Sequence, residues 1–170
     1  MRYTDRIAQC AAGLVRKYKT RDPFELAKEL GIHVFFSDEF VTLKGMYFII
    51  KRNRYIYINN KLDDNTKKIV CAHEIGHDRL HRDLAKFGAL QEFVLYDMAT
   101  RQEYEANVFA SSVLLEDDAM LELIYERGYD AQQIAVELKS DINLVALKAA
   151  TLKTKGHRLS PPDVKSDFLK

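Results

Sequence analysis

The apolar positions change period twice along the chain. Between residues 5 and 19, Ile7, Cys10, Ala11, Leu14, Val15 and Tyr18 recur at helical spacing, which predicts an amphipathic helix. The stretch "RDPFELAKELGI" carries its own boundaries: Asp22 to cap, Pro23 for the first turn and Gly31 to stop. After Gly31 the period shortens to two. "IHVFFS", "KGMYFIIK" and "RYIYIN" are rich in β-branched and aromatic residues, and "KRNR" between the last two reads as a hairpin turn.

From Asp63 the helical period returns. A helix is expected from about Thr66 to Arg82, capped by Asp64 or Asn65. "TRQEYEANVFASSVLL" reads as a helix capped by Thr100, and "DDAMLELIYERG" as another ending at Gly128. "DAQQIAVELKSDINLVALKAATL" gives two short helices with a break near Ser140. The segment from Lys86 to Asp97 is ambiguous, with "EFVLYD" reading as strand or loop. "HRLSPPDVKSDFLK" lacks periodicity and reads as an irregular tail. The expected fold class is therefore α+β: a small, mostly antiparallel sheet of about three strands, packed with helices, and a helical C-terminal part. The expected organisation is a main domain over 1–126, a small helix-turn-helix-like extension over 127–156 and a tail over 157–170.

Composition narrows the function classes. A chain of 170 residues with 47% hydrophobic and 30% charged residues can bury a core without a structural metal or disulfides. A metal here would serve chemistry more than folding. The net charge of +1 lacks the basic excess of a general nucleic-acid binder. Cys10 and Cys71 are far apart and form no Cys-x-x-Cys pair, as expected of a reduced, cytoplasmic protein. The N-terminus has no apolar signal region, and no apolar run approaches the roughly 18 residues of a membrane span.

The chemistry concentrates in "CAHEIGHDRLH", residues 71–81. His73, Glu74 and His77 form H-E-x-x-H on the expected helix. Spacing of four puts both imidazoles on one face, where they can share an ion such as zinc. Glu74 is rotated about 100° and falls beside the open coordination position, placed to take a proton from water. The competing reading is a surface helix of solvated histidines. His81 lies about 12 Å from His73 along a straight helix, too far to share the ion, and is assigned to a supporting or packing place. Glu103 is the better third ligand. Glu103, Ala106, Asn107 and Ala110 form one stripe, its alanines permit close helix approach, and Asn107 can orient a ligand histidine. Glu105 lies about 200° away and cannot share that face. Gly76, costly inside a helix, marks a close neighbour.

"AHEIGHDRLH" followed some thirty residues later by "EYEANVFASSVLL" resembles the ImmA/IrrE family of metallo-endopeptidases, over roughly residues 20–150. The resemblance implies a zincin-type active-site helix, one zinc ion held by His73, His77 and Glu103, and Glu74 as general base. It further implies a protein substrate, a helix-turn-helix DNA-binding repressor, cleaved to relieve repression. The departure is Leu115-Glu116, where the family has Met-Pro. It touches no expected ligand and bears on substrate fit. Manganese or iron would also suit such ligands.

Three matters stay open at this stage. Tyr47, Tyr55, Tyr57, Tyr104 and His157 are all conceivable oxyanion stabilisers. "KGMYFIIK" could be an edge strand that holds substrate by strand addition. Rival functions are a non-catalytic partner-binding anti-repressor, a toxin component, or a DNA-binding regulator reading through Lys148 and Lys153. Direct nucleic-acid contact is disfavoured, because the excess of Arg127, Lys139, Lys148, Lys153, Lys155 and Arg158 over Asp130, Glu137 and Asp141 is mild.

Overall fold

The computed structural model describes residues 3–86, 88–92 and 100–159. Helix α1 spans Tyr3–Tyr18 and α2 Pro23–Glu29. The Asp22 side chain accepts from the backbone N–H groups of Phe24 and Glu25, and Pro23 opens the helix, as its missing N–H permits. Gly31 follows at φ +69°, a left-handed conformation that ends the helix and feeds the first strand.

Strands β1 (Ile32–Ser37), β2 (Gly45–Ile50), β3 (Asn53–Asn59) and β4 (Leu90–Glu92) form one sheet in the order β1-β3-β2-β4. The hairpin is where "KRNR" places it: Lys51 and Arg52 take φ of 48° and 69°, the left-handed turn that matches strand twist. The α+β class and the mostly antiparallel sheet are as expected, since β2 runs antiparallel to both β3 and β4, but two details differ from the expected three strands. A fourth strand is present, and β1 runs parallel to β3, with Val34 opposite Ile56. Instead of pairing with β1, β2 lies on the far side of β3. The chain makes that passage over residues 38–44, where Asn59 Nδ2 donates to the carbonyls of Phe40 and Leu43. Most of "EFVLYD" lies outside the described residues; its first residue, Glu92, ends β4.

Helix α3 spans Asp64–Leu80 and is the axis of the molecule. Its cap is Asp63, one residue before those expected, whose Oδ1 accepts from Thr66 N at 2.9 Å. Every residue from Ile69 to Asp78 is buried. One side packs through Val70, Cys71 and Ile75 with Tyr47, Ile56 and Ile58 of the sheet and with Leu26 of α2. On another side lies α4, Arg101–Leu114, capped by Thr100 Oγ1 on Glu103 N at 3.2 Å. Gly76 marks their closest approach. A Cβ there would stand 3.1 Å from Ala106 Cα, which is why glycine and alanine face each other.

The chain closes with α5 (Asp117–Tyr125), α6 (Ala131–Glu137) and α7 (Ile142–Thr154). Met120, Ile134, Leu144 and Leu152 form a second core with Ile69 and Ala72 of α3 and Ala110 of α4. The helix pair α6–α7 has the expected rhythm, but α7 is wedged against α1, α4 and α6. Lys148, one of the two cations considered for DNA contact, is 2% exposed, with Nζ 2.5 Å from Asp117 Oδ1. It cannot reach a phosphate. Among the described residues no helix is long and apolar enough to cross a membrane.

Candidate metal centre

A helix buried on all sides should carry apolar residues, yet the buried run of α3 holds His73, Glu74, His77 and Asp78. Such groups need partners. His73 and His77 lie one turn apart with Nε2 atoms 3.0 Å from each other. Glu103, in the capped first turn of α4, brings Oε2 to 3.1 Å from His73 Nε2 and Oε1 to 3.4 Å from His77 Nε2. The spacing is informative, because a tetrahedral ion with bonds of about 2.0–2.1 Å sets its ligand atoms about 3.3 Å apart. Ligand atoms from His73, His77 and Glu103 all fall within 4.8 Å of one another.

The outward ring nitrogens decide where the hydrogens are. His73 Nδ1 lies 2.9 Å from Asn107 Oδ1, to which it donates. His77 Nδ1 lies 3.0 Å from His81 Nδ1, and His81 Nε2 lies 2.9 Å from Glu105 Oε2. Glu105 is a carboxylate acceptor, so His81 carries a hydrogen on Nε2, and in its neutral form it accepts at Nδ1 from His77. Both Nε2 atoms that face each other are then bare. Glu103 Oε2, buried in the same space, has no hydrogen-bond partner. Lone pairs converging in this way repel unless a cation lies between them, and this donor set suits a divalent ion. Burial pushes the His77 imidazole down to about 4, which keeps it neutral and able to ligate at pH 7. Only with hydrogens on the facing Nε2 atoms would the two imidazoles hold the Glu103 carboxyl below the usual range against the opposing effect of burial.

Glu74 is fully buried, with its carboxylate against strand β2. A Cβ at Gly45 would lie 2.8 Å from Glu74 Oε1 and 2.4 Å from Val70 Cγ1. Only glycine leaves that strand close enough to line the carboxylate's position.

The family model described as the IrrE N-terminal-like domain, of the M78 peptidases, matches residues 27–150. That span holds the whole cluster and most of the chain. The chain belongs to the ImmA/IrrE metallopeptidase family. Over 104 residues it is 39% identical to "Uncharacterized immunity region protein 2" of Bacillus phage phi105, covering 61% of this chain and 65% of that protein. Over 82 residues it is 37% identical to "Metallopeptidase ImmA" of Bacillus subtilis strain 168, covering 47% and 46% of the two chains. It therefore spans a little under two thirds and a little under half of these curated relatives.

In this ImmA/IrrE chain the structure brings together His73, His77 and Glu103, sets Asn107 and His81 behind the two rings, and buries Glu74 next to His73 on α3. The expectation that Glu105 cannot share the face of Glu103 holds in geometry. Its consequence was missed, since Glu105 reaches round to His81 and is 4% exposed. Also missed was a network behind the site. Asp78 accepts from Tyr47 Oη at 2.8 Å, Arg54 Nη1 at 3.1 Å and Arg82 Nη2 at 2.9 Å. The network locks the motif helix to β2 and β3. Burial and the bonded Asp78 push the Tyr47 phenol above its ordinary value. That phenol is committed to Asp78, so Tyr47 leaves the candidates for oxyanion stabiliser. Tyr55 and Tyr57 leave too, because they alternate with buried Ile56 and stack with Phe48 on the sheet face away from α3. Strand β2 is no edge: β4 pairs with it from Gly45 to Tyr47, and among the described residues β1 and β4 are the edges.

Proposed function

We propose that this chain is a zinc-dependent, site-specific endopeptidase acting on a protein substrate, a helix-turn-helix DNA-binding repressor, in the cytoplasm. The single observation that carries the catalytic part is the convergence of two hydrogen-free imidazole nitrogens and a carboxylate oxygen without a hydrogen-bond partner, two of the three on the helix that carries Glu74. His73, His77 and Glu103 would hold one Zn2+. When bound, the ion supplies Lewis-acid polarisation of water and of the scissile carbonyl.

The chain's own residues supply the rest. Asn107 fixes the His73 ring, and the capped first turn of α4 delivers Glu103. Glu74 takes a proton from water as its oxygen bonds to the scissile carbonyl carbon, then hands that proton to the departing amine nitrogen as the C–N bond breaks. The low-dielectric walls around Glu74 strengthen that exchange. Strand β4, which pairs with β2 at Gly45 near Glu74, is among the described residues the sheet edge closest in register to the proposed base. An extended substrate segment added there would lie along the site. The repressor substrate is supported by the resemblance in the motifs and by the names of the relatives, an immunity region protein and a metallopeptidase. The proposed units are a peptidase domain over 1–126, an extension over 127–156 that serves packing or partner recognition, and a tail beyond.

The test compares new protein N-termini in host cells expressing wild type or Glu74→Gln. One dominant cut in a repressor-like protein, seen only with wild type, is the expected result. Identical N-termini from both, with transcription still altered by both, would replace the enzyme with a partner-binding anti-repressor on the same fold.

A further inference from the structure

We propose that His81 and Glu105, backed by Arg101, form a positioning relay that holds the His77 imidazole with its Nε2 lone pair on the metal. The inference rests on the reading of His73, His77 and Glu103 as ligands.

The two ligand histidines are supported unequally. His73 leans on a neutral amide, Asn107. His77 leans on a second imidazole and then a carboxylate, through contacts of 3.0 and 2.9 Å. Arg101 Nε donates to Glu105 Oε1 at 2.5 Å from one turn earlier on α4. His81 and Glu105 are 7% and 4% exposed, so water does not compete for these bonds. Each step admits one hydrogen, and the carboxylate end sets its direction. Glu105 only accepts, hence His81 donates from Nε2; a neutral His81 then accepts at Nδ1, and His77 donates from Nδ1. The opposite tautomer of His77 would point an N–H at the metal and a lone pair at the His81 lone pair.

The placement explains the helix geometry as well. His81 is the C-cap of α3, its backbone N–H donating to His77 O at 2.8 Å, which seats its ring beside the outward edge of His77. Glu103 and Glu105 diverge from the same turn of α4, one toward the Nε2 side of His77 and the other toward the ring behind it. One turn of α4 therefore grips His77 from both ends. A filler of apolar side chains would pack this space without burying a carboxylate, so ordinary packing does not account for the arrangement.

The test uses the full chain, stripped of metal, with Zn2+ affinity measured against a chromophoric chelator. Glu105→Ala and His81→Phe are expected to weaken zinc binding about 10- to 100-fold. Glu105→Gln, which keeps an acceptor oxygen, recovers part of that loss. The double variant binds no worse than either single one, because the residues act in series. Nitrogen-15 NMR of the zinc-loaded wild type finds the His77 hydrogen on Nδ1 and the His81 hydrogen on Nε2. Zinc affinity unchanged in Glu105→Ala, or a His81 hydrogen on Nδ1, overturns the relay and leaves the ligand assignment standing. A wild type that takes up no zinc overturns the ligand assignment and the relay with it. If Glu105→Ala does not fold, the hydrogen positions in the wild type decide alone.

Discussion

Gly45 and Gly76 show how far the site depends on atoms that are missing. At Gly45 the neighbours of an added Cβ are Val70 Cγ1 at 2.4 Å and Glu74 Oε1 at 2.8 Å. Gly45→Ala should therefore push the Glu74 carboxylate off its position while sparing the metal ligands. Hydrolysis is expected to fall at least about tenfold with zinc affinity kept, since misplacement of a base by about 1 Å is costly. Measuring cleavage rate and metal affinity on the same sample checks this; equal loss of both would contradict it. At Gly76 the neighbours are Ala106 Cα at 3.1 Å, Ala106 O at 3.2 Å and Phe109 Cβ at 3.3 Å, largely backbone that cannot swing aside. Gly76→Ala gains about 1 kcal/mol of helix propensity and loses more to overpacking, about 1–3 kcal/mol, so lowered stability in urea is expected. The crowding at Gly76 was legible because a glycine inside a helix contradicts local propensity. That at Gly45 was not, since the carboxylate it accommodates comes from a helix almost thirty residues away.

Two helices, α3 and α4, carry the residues of the proposed metal centre, and their starts are set by single capping side chains. Thr100→Ala removes the bond to Glu103 N and should cost about 1 kcal/mol of stability. It should also weaken zinc binding, because Glu103 loses the turn that aims it. Stability loss without a change in zinc affinity would separate the cap from the site. Asp78 is the tie between α3 and the sheet. It sits buried under one phenol and two guanidinium groups, and Asp78→Ala is expected to cost about 3 kcal/mol, read as a lower denaturant midpoint. Caps and helix faces were readable because they are written within a few residues. The Asp78 network was not, since Tyr47 and Arg54 come from strands 31 and 24 residues away in sequence. The parallel pairing of β1 with β3 was hidden for a related reason. Alternating apolar residues announce a strand but not its neighbour, and the passage over residues 38–44 is held by Asn59 through tertiary bonds alone.

At the scale of the whole molecule, the C-terminal helices close a second core against α3, through Ile69 and Ala72. The sequence gives α6–α7 the cadence of a DNA reader; the fold wedges α7 among other helices and pairs its Lys148 with Asp117. Burial would raise the Asp117 carboxyl, but Lys148 and Lys155 more than offset this and hold it below 3.8. A depressed folded value means that the unfolded chain binds more protons in that window. The contribution of Asp117 is therefore full above the unfolded value and is lost as pH falls through the folded one. Wild type should exceed Asp117→Asn in stability at pH 7, and the gap should narrow below about pH 4; a gap independent of pH would contradict the pairing. His73, His77 and Glu103 are expected to form one metal site. Calorimetric titration of the stripped chain with Zn2+ tests it most directly, beside Glu103→Ala. One ion per wild-type chain, with binding weakened more than about tenfold in the variant, is the predicted result. No uptake by the wild type, or equal affinity in both, would contradict it.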